Sequence, residues 1–93
     1  MAVLNDNPVL AFLGRRGRGA VVEALRRNPN RTLSVRDLAR LADVAPMVAS
    51  RAVAELKGFE AVSVERDGKA LRVRFQPRTP VGAFLARLDV PDM

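Results

Sequence analysis

The side chains of this chain that could bind a charged partner are almost all guanidinium groups. Lysine and arginine number 16 against 10 aspartates and glutamates, a net charge of +6, and only Lys57 and Lys69 are lysines. An arginine is always charged, and its planar set of N–H donors matches phosphate oxygens and the edge of guanine. The charge therefore indicates an anionic partner, either nucleic acid or an anionic membrane. A GC-rich coding sequence would also produce arginine-rich surfaces, so charge alone does not decide.

The missing residue types exclude several kinds of chemistry. The sequence has no cysteine and no histidine, which excludes disulfides, thiol and imidazole catalysis, and the usual ligands of zinc and metal-sensing sites. No two carboxylates occupy an identifiable site, so we expect neither an enzyme nor a cofactor or metal. The opening residues have no basic region before a short apolar run, which predicts a cytoplasmic protein without a signal peptide or membrane partner.

Two short amphipathic helices around a tight turn are the elements that would position the charges. Apolar residues recur at helical spacing in Val35, Leu38, Ala39 and Ala42, and again in Ala49, Ala52, Val53 and Leu56. Ser34 is a predicted N-cap with Asp37 as its capping-box partner, and Asp43 suits a left-handed turn position. Pro46 suits the first position of the second helix, and Gly58 the residue after its end. The alanines of both patterns allow the two helices to pack closely.

A β-hairpin is predicted over residues 62–75. Apolar and polar residues alternate there around Asp67-Gly68, a strong hairpin-turn dipeptide. With a two-residue loop at that dipeptide, the predicted cross-strand pairs are Arg66–Lys69, Val64–Leu71 and Val62–Val73. The apolar pairs then share one face, and the other face carries Ser63, Glu65, Arg72 and Arg74.

Further helices are predicted at both ends of the chain, over residues 9–13, 16–27 and 80–88. Glycines and arginines at 14–19 predict a bend whose arginines are solvated, with phosphate contact by Arg15 or Arg18 as the alternative. The terminal segments contain more apolar residues than a small domain needs to cover itself: Val9, Leu10, Phe12, Leu13, Val81, Phe84, Leu85 and Leu88. They predict a homodimer interface, the alternative being that the last helix folds back on the first.

Most of the chain resembles a known family. The run LSVRDLARLADVAPMVASRAVAELKGFEAVSVERDGKALRVRF is similar to the winged helix-turn-helix of bacterial and archaeal MarR/ArsR-type regulators. The upstream segment FLGRRGRGAVVEALRRNPNRTLSVRDLA is closer still to the winged-helix module that precedes some nucleotidyltransferase-like domains. This resemblance implies an α+β fold that is mainly α. It would be a single domain over residues 1–93, with the helix-turn-helix at 34–57, the hairpin wing at 62–75 and a C-terminal helix at 80–88.

The resemblance implies double-stranded DNA as the partner. The positions that would face DNA are Pro46, Met47, Ser50 and Arg51 on the recognition helix, and Arg66 and Lys69 at the wing tip. Phosphate contacts are expected from Arg36 and Arg40 on the first helix and from Arg72 and Arg74 on the hairpin. For these last four the alternative is a solvated charge, or, for the hairpin pair, an ion pair with Glu65. The family commonly has Ser or Thr where this chain has residues 45–48, so Arg51 becomes the main hydrogen-bonding reader of bases.

These observations predict a homodimeric, DNA-binding transcriptional regulator. The alternative is a protein-interaction or recruitment module that acts with a separate catalytic domain or partner. The apolar start of the recognition helix and the upstream resemblance favour that alternative.

Overall fold

The structure is a computed structural model that describes residues 8–87, and these residues form five helices and three strands. The helices are α1 (Pro8–Leu13), α2 (Arg18–Arg27), α3 (Val35–Ala42), α4 (Pro46–Gly58) and α5 (Pro80–Arg87). The strands are β1 (Thr32–Ser34), β2 (Val62–Asp67) and β3 (Ala70–Phe75). The predicted α+β class with mainly helical content is confirmed. No helix in this part of the chain is long and apolar enough to span a membrane.

The connection between α3 and α4 follows the local sequence closely. The Ser34 hydroxyl accepts a hydrogen bond from the Asp37 N–H at 3.0 Å, so α3 begins with a side-chain cap. Asp43 has left-handed dihedrals (φ 56°, ψ 49°), and its N–H donates to carbonyls of the last turn of α3. Pro46 starts α4, where its fixed φ is favourable and its missing N–H costs nothing. The predicted N-cap role of Ser34 and the predicted roles of Asp43 and Pro46 are confirmed. The capping box is incomplete, because the Asp37 carboxylate lies 3.7 Å from Arg40 and makes no hydrogen bond to the Ser34 N–H within residues 8–87.

The end of α4 differs from the prediction. Gly58 is the last residue of the helix, and the left-handed residue is Glu60 (φ 63°). The reason is tertiary: the Phe59 ring packs edge-on against Phe12, with ring centres 5.9 Å apart at 81°. The fully buried Ala61 then donates its N–H to a carbonyl of the last turn of α4, which completes a Schellman motif.

The sheet is antiparallel with strand order β1-β3-β2. The observed pairs include Val62–Phe75, Val64–Val73 and Arg66–Leu71, so the predicted register is wrong by two residues. The loop is Gly68-Lys69, with Gly68 at φ 64° in the first central position, as in a type II′ turn. This register pairs two buried side chains, Val62 and Phe75. Because the shift is even, the apolar and polar faces stay as predicted.

The core lies between the helices and one face of the sheet. Its largest fully buried side chains are Phe12, Leu25, Leu33, Leu38, Leu56 and Leu85. Val9, Phe12 and Leu85 of the terminal helices are therefore core residues, whereas Phe84 stays 41% exposed. The α5 helix packs against α2, whereas the predicted alternative to a dimer placed the last helix against the first. Leu88 lies outside the described residues.

Two ion pairs and one hydrogen bond strengthen the α2 surface beside α5. The Glu23 carboxylate accepts from Arg26 at 3.1 Å and from Arg27 at 2.9 Å. These hydrogen bonds hold the pKa of Glu23 below its ordinary value. Arg26 also donates to the Ala86 carbonyl at 3.2 Å, which links α2 to the end of α5.

Removal of the Ser34 hydroxyl should destabilise α3. We expect Ser34→Ala to lower the free energy of unfolding by about 1 kcal/mol, because the Asp37 N–H loses its only cap. Urea unfolding followed by circular dichroism measures the change. Ser50→Ala is the matched control, since Ser50 is exposed and its hydroxyl has no hydrogen-bonding partner among residues 8–87. Equal losses in both variants would contradict the capping role.

Two glycines near the start of α2 should respond oppositely to alanine. Gly17 has φ 80°, and a Cβ there would lie 2.7 Å from Val48 Cγ1. Gly17→Ala should therefore lower the free energy of unfolding by about 1–3 kcal/mol. A Cβ at Gly19 would meet nothing within 4 Å, so Gly19→Ala should raise it by about 0.5–1 kcal/mol through helix propensity. Thermal or urea unfolding distinguishes these outcomes, and a stabilised Gly17→Ala variant would contradict the contact with α4.

Candidate nucleic-acid interface

Helix α4 has one buried face and one exposed face. Ala49, Ala52 and Leu56 have no exposed surface, because they pack against α2, α3 and β2. The opposite face exposes Pro46, Met47, Ser50 and Arg51, the four positions predicted to face DNA. Met47 is 64% exposed, so most of its side chain is available to a partner. The helix is thus held firmly on one side and is free to contact a partner on the other.

The exposed face of α4 includes more residues than the four that were predicted to face DNA. Ala54 and Lys57 are also exposed and extend the face to the end of the helix. The same helical spacing that identifies Met47, Ser50 and Arg51 leads to position 54, so periodicity could have found it. The side chain at 54 is small, and Lys57 adds a second positive charge to this face.

A groove of about 480 Å³ brings three elements together beside α4. It lies between the start of α3, the edge of α4 and the wing, and Arg36, Ser50 and Lys69 line it together. Its remaining lining residues are Ser34, Val35, Ala70 and Leu71. Three of the predicted contact residues, far apart in sequence, therefore share one concave surface.

Four of the predicted cations on this side form no ion pair within residues 8–87. They are Arg36, Arg51, Arg66 and Lys69. Arg40 approaches Asp37 at 3.7 Å, but both side chains are exposed, and such surface pairs contribute about 0–1 kcal/mol. Most of the positive charge near α4 is therefore available to an external anion.

The other two predicted cations lie elsewhere. Arg72 and Arg74 are on the polar face of the hairpin, on the side of the sheet away from the core. Arg72 pairs with Asp67 at 3.6 Å, rather than with the predicted Glu65. Arg74 lines a second groove of about 600 Å³ with Arg78, and this groove shares no residue with the first. The structure thus separates Arg72 and Arg74 from the exposed face of α4.

The arginines of residues 14–19 include an internal ion pair that the sequence did not predict. Arg18 is only 9% exposed, and its Nε and Nη2 atoms each lie 3.0 Å from Oε1 of Glu55 on α4. Arg15 pairs with the other oxygen of the same carboxylate. The prediction that these arginines are solvated is wrong for Arg18, because burial of the bend against α4 brings it to Glu55.

The start of α4 is electrostatically positive. Ala45 provides no capping side chain, and the first turn contains no acidic residue. The N-terminal end of the helix dipole is therefore not neutralised by its own cap or first turn, which favours an anion nearby. No group of three acidic, histidine or cysteine side chains that could hold a metal ion occurs among residues 8–87.

Comparison with models of protein families and with curated proteins gives no match. Solved structures do match. BpsR of Bordetella bronchiseptica, whose DNA binding is regulated by 6-hydroxynicotinic acid, is 19% identical with a TM-score of 0.62; the match covers 76% of this chain and 52% of BpsR. The AntR antimony-specific transcriptional repressor is 23% identical with a TM-score of 0.66, over 84% of this chain and 68% of AntR.

A candidate DNA-binding protein of Ralstonia eutropha JMP134 is 19% identical with a TM-score of 0.63, over 77% of this chain and 91% of that protein. The present chain spans about half the length of BpsR. At these identities the likeness concerns the fold. The order of helices and strands together with these matches shows that the chain has the winged-helix fold found in transcriptional regulators.

Proposed function

We propose that the protein is a cytoplasmic, non-enzymatic transcriptional regulator that binds double-stranded DNA through a single winged helix-turn-helix domain. One observation carries the proposal. The exposed face of α4 lies beside a groove lined by Arg36, Ser50 and Lys69, and neither of these two cations forms an ion pair within residues 8–87. A helix with one free face, flanked by unpaired positive charges, suits the major groove of DNA and its phosphates.

In this proposal α4 is the recognition helix. Arg51 reads a guanine edge through two hydrogen bonds, and Met47 contacts a thymine methyl group. Pro46 and Ser50 lie against the walls of the major groove, where the Ser50 hydroxyl can donate to a base or phosphate. Residues 45–48 offer few hydrogen-bonding groups, so base discrimination depends mainly on Arg51.

The remaining contacts position the protein without reading sequence. Arg66 and Lys69 near the wing tip reach the adjacent backbone or minor groove, and Arg36 and Arg40 of α3 contact phosphates. Arg72 and Arg74 lie on the other face of the hairpin, so we assign them a weaker, long-range electrostatic contribution. The DNA binding of BpsR and the repressor activity of AntR support the same class of activity for this chain.

We further infer that the protein acts as a homodimer through its terminal helices. Phe84 is 41% exposed and gives α5 an apolar surface beyond what the core uses. A dimer would place two recognition helices on one duplex, which compensates for weak reading by a single helix. Size-exclusion chromatography with light scattering should give a dimer for the full chain and a monomer for Phe84→Glu. A wild-type monomer at micromolar concentration would contradict this inference.

A second candidate function is a recruitment module that binds another protein, such as a catalytic partner. Its support is the exposure of two large apolar side chains on the helix-turn-helix, Leu41 at 51% and Met47 at 64%. The same α4 face would then bind protein in place of DNA. Measurement of DNA binding distinguishes the two functions.

The DNA-binding proposal predicts a steep dependence on salt. Fluorescence anisotropy should show that the wild-type chain binds both a random duplex and a duplex selected from a random library, more weakly as salt rises. Arg51→Ala should reduce the preference for the selected duplex by about 1–3 kcal/mol. Lys69→Ala should weaken binding to both duplexes alike and reduce the salt slope by about one.

Arg78→Ala is the matched control for these variants. Arg78 is exposed and without an ion pair among the described residues, but it lies in the groove on the far side of the sheet. It should leave the preference unchanged and affect affinity less than Lys69→Ala. Absent or salt-insensitive binding by the wild-type chain would contradict the regulator and favour the recruitment module.

A further inference from the structure

Helix α4 contains a single acidic residue, Glu55, and its position would allow it to compete with DNA for Arg51, the residue proposed to read bases. Glu55 follows Arg51 by four residues. Side chains at this spacing are neighbours on a helix surface and can form an ion pair, although a basic residue before an acidic one is the weaker order. Such a pair would occupy the Arg51 guanidinium and place a carboxylate beside the DNA phosphates.

The observed ion pairs prevent this arrangement. Arg51 is exposed and makes no ion pair within residues 8–87, although Glu55 is one helical turn away. Both oxygens of Glu55 are instead used by the bend before α2: Oε1 lies 3.0 Å from Arg18, and Oε2 pairs with Arg15. The Glu55 side chain is 26% exposed, so it is turned partly away from solvent.

Arg18 is well placed to hold this carboxylate. Its side chain is 11% exposed, and Nη1 also donates to the Arg16 carbonyl at 3.3 Å. A buried guanidinium that lost its carboxylate would remain desolvated without a counter-charge, so exchange of Glu55 from Arg18 to Arg51 is unfavourable. Gly17 contacts Val48 on the same edge of α4, which keeps the bend and the helix in close contact.

We propose that Arg15 and Arg18 are positioning residues for base recognition, which hold Glu55 and thereby keep Arg51 free to contact DNA. They do not themselves touch the bases. They also neutralise the one negative charge of α4 near the phosphate backbone. The proposal rests on the proposed function, since it concerns the same α4 face.

The test compares variants by the ratio of their affinities for the selected and the random duplex, which cancels general changes in net charge. In R15Q/R18Q, Glu55 is released and pairs with Arg51, so the ratio should fall by up to about twofold. In R15Q/R18Q/E55Q the competing carboxylate is gone, and the ratio should return to the wild-type value. E55Q alone should keep the wild-type ratio.

The matched control is R26Q/R27Q, which removes two arginines and releases Glu23, a carboxylate of α2 rather than α4. It should keep the wild-type ratio. If R15Q/R18Q does not fold, R15Q/R18M replaces it, because the methionine fills the space of Arg18 with an apolar chain. An unchanged ratio in R15Q/R18Q would overturn the proposal. So would a ratio in R15Q/R18Q/E55Q that stays as low as in R15Q/R18Q.

A measurement without DNA separates this proposal from the proposed function. Urea midpoints of Arg51→Gln, Glu55→Gln and their combination give the coupling between the two side chains. The coupling should be absent in the wild-type background and present in R15Q/R18Q. Coupling already present in the wild-type background would overturn the proposal. A wild-type chain that binds neither duplex would refute the proposed function and leave the measured coupling valid.

Discussion

The packing of one face of α4 against α2, α3 and β2 is the contact on which most other features of the molecule depend. Ala49, Ala52 and Leu56 on this face have no exposed surface. The two alanines allow the backbone of α4 to approach its neighbours closely, and Leu56 fills the space beneath the helix. Once this face is buried, the opposite face with Ser50 and Arg51 must point to solvent, because a helix repeats every 3.6 residues. The left-handed turn at Asp43 and the start of α4 at Pro46 are compatible with this packing. Together they keep the same face of α4 turned toward the core.

The arginines divide into two groups according to where the fold places acidic partners. Arg18, Arg26 and Arg27 find carboxylates inside the chain and contribute to the contacts between helices. Other arginines, Arg51 among them, form no ion pair with the part of the chain that the structure describes and remain available to an external anion. Composition alone treats both groups alike, since a guanidinium is charged at every position. The tertiary structure decides which charges are internal and which can act in binding.

Local interactions explain why much of the fold was predictable. A serine that caps a helix, an aspartate that adopts a left-handed conformation and a proline at the first helical position act within four or five residues of themselves. The alternation of the hairpin likewise determines which side chains share a face. The hairpin register was missed because an even shift preserves that alternation, and only the burial of Val62 opposite Phe75 selects one register.

The end of α4 and the role of the Gly-Arg bend were missed for a related reason. Glycine is the usual residue after the end of a helix. Here α4 includes Gly58 because the Phe59 ring packs against Phe12, and the left-handed residue is Glu60. Arg18 and Glu55 are 37 residues apart, and no periodicity connects them.

The sequence by itself determined which segments are helical, the turn between α3 and α4 and the two faces of the hairpin, because these follow from short-range geometry. Only the tertiary structure decided the register, the grouping of Arg36, Ser50 and Lys69 around one groove, and the burial of Arg18. Those features depend on which segments, far apart in the sequence, pack against each other and exclude water between them.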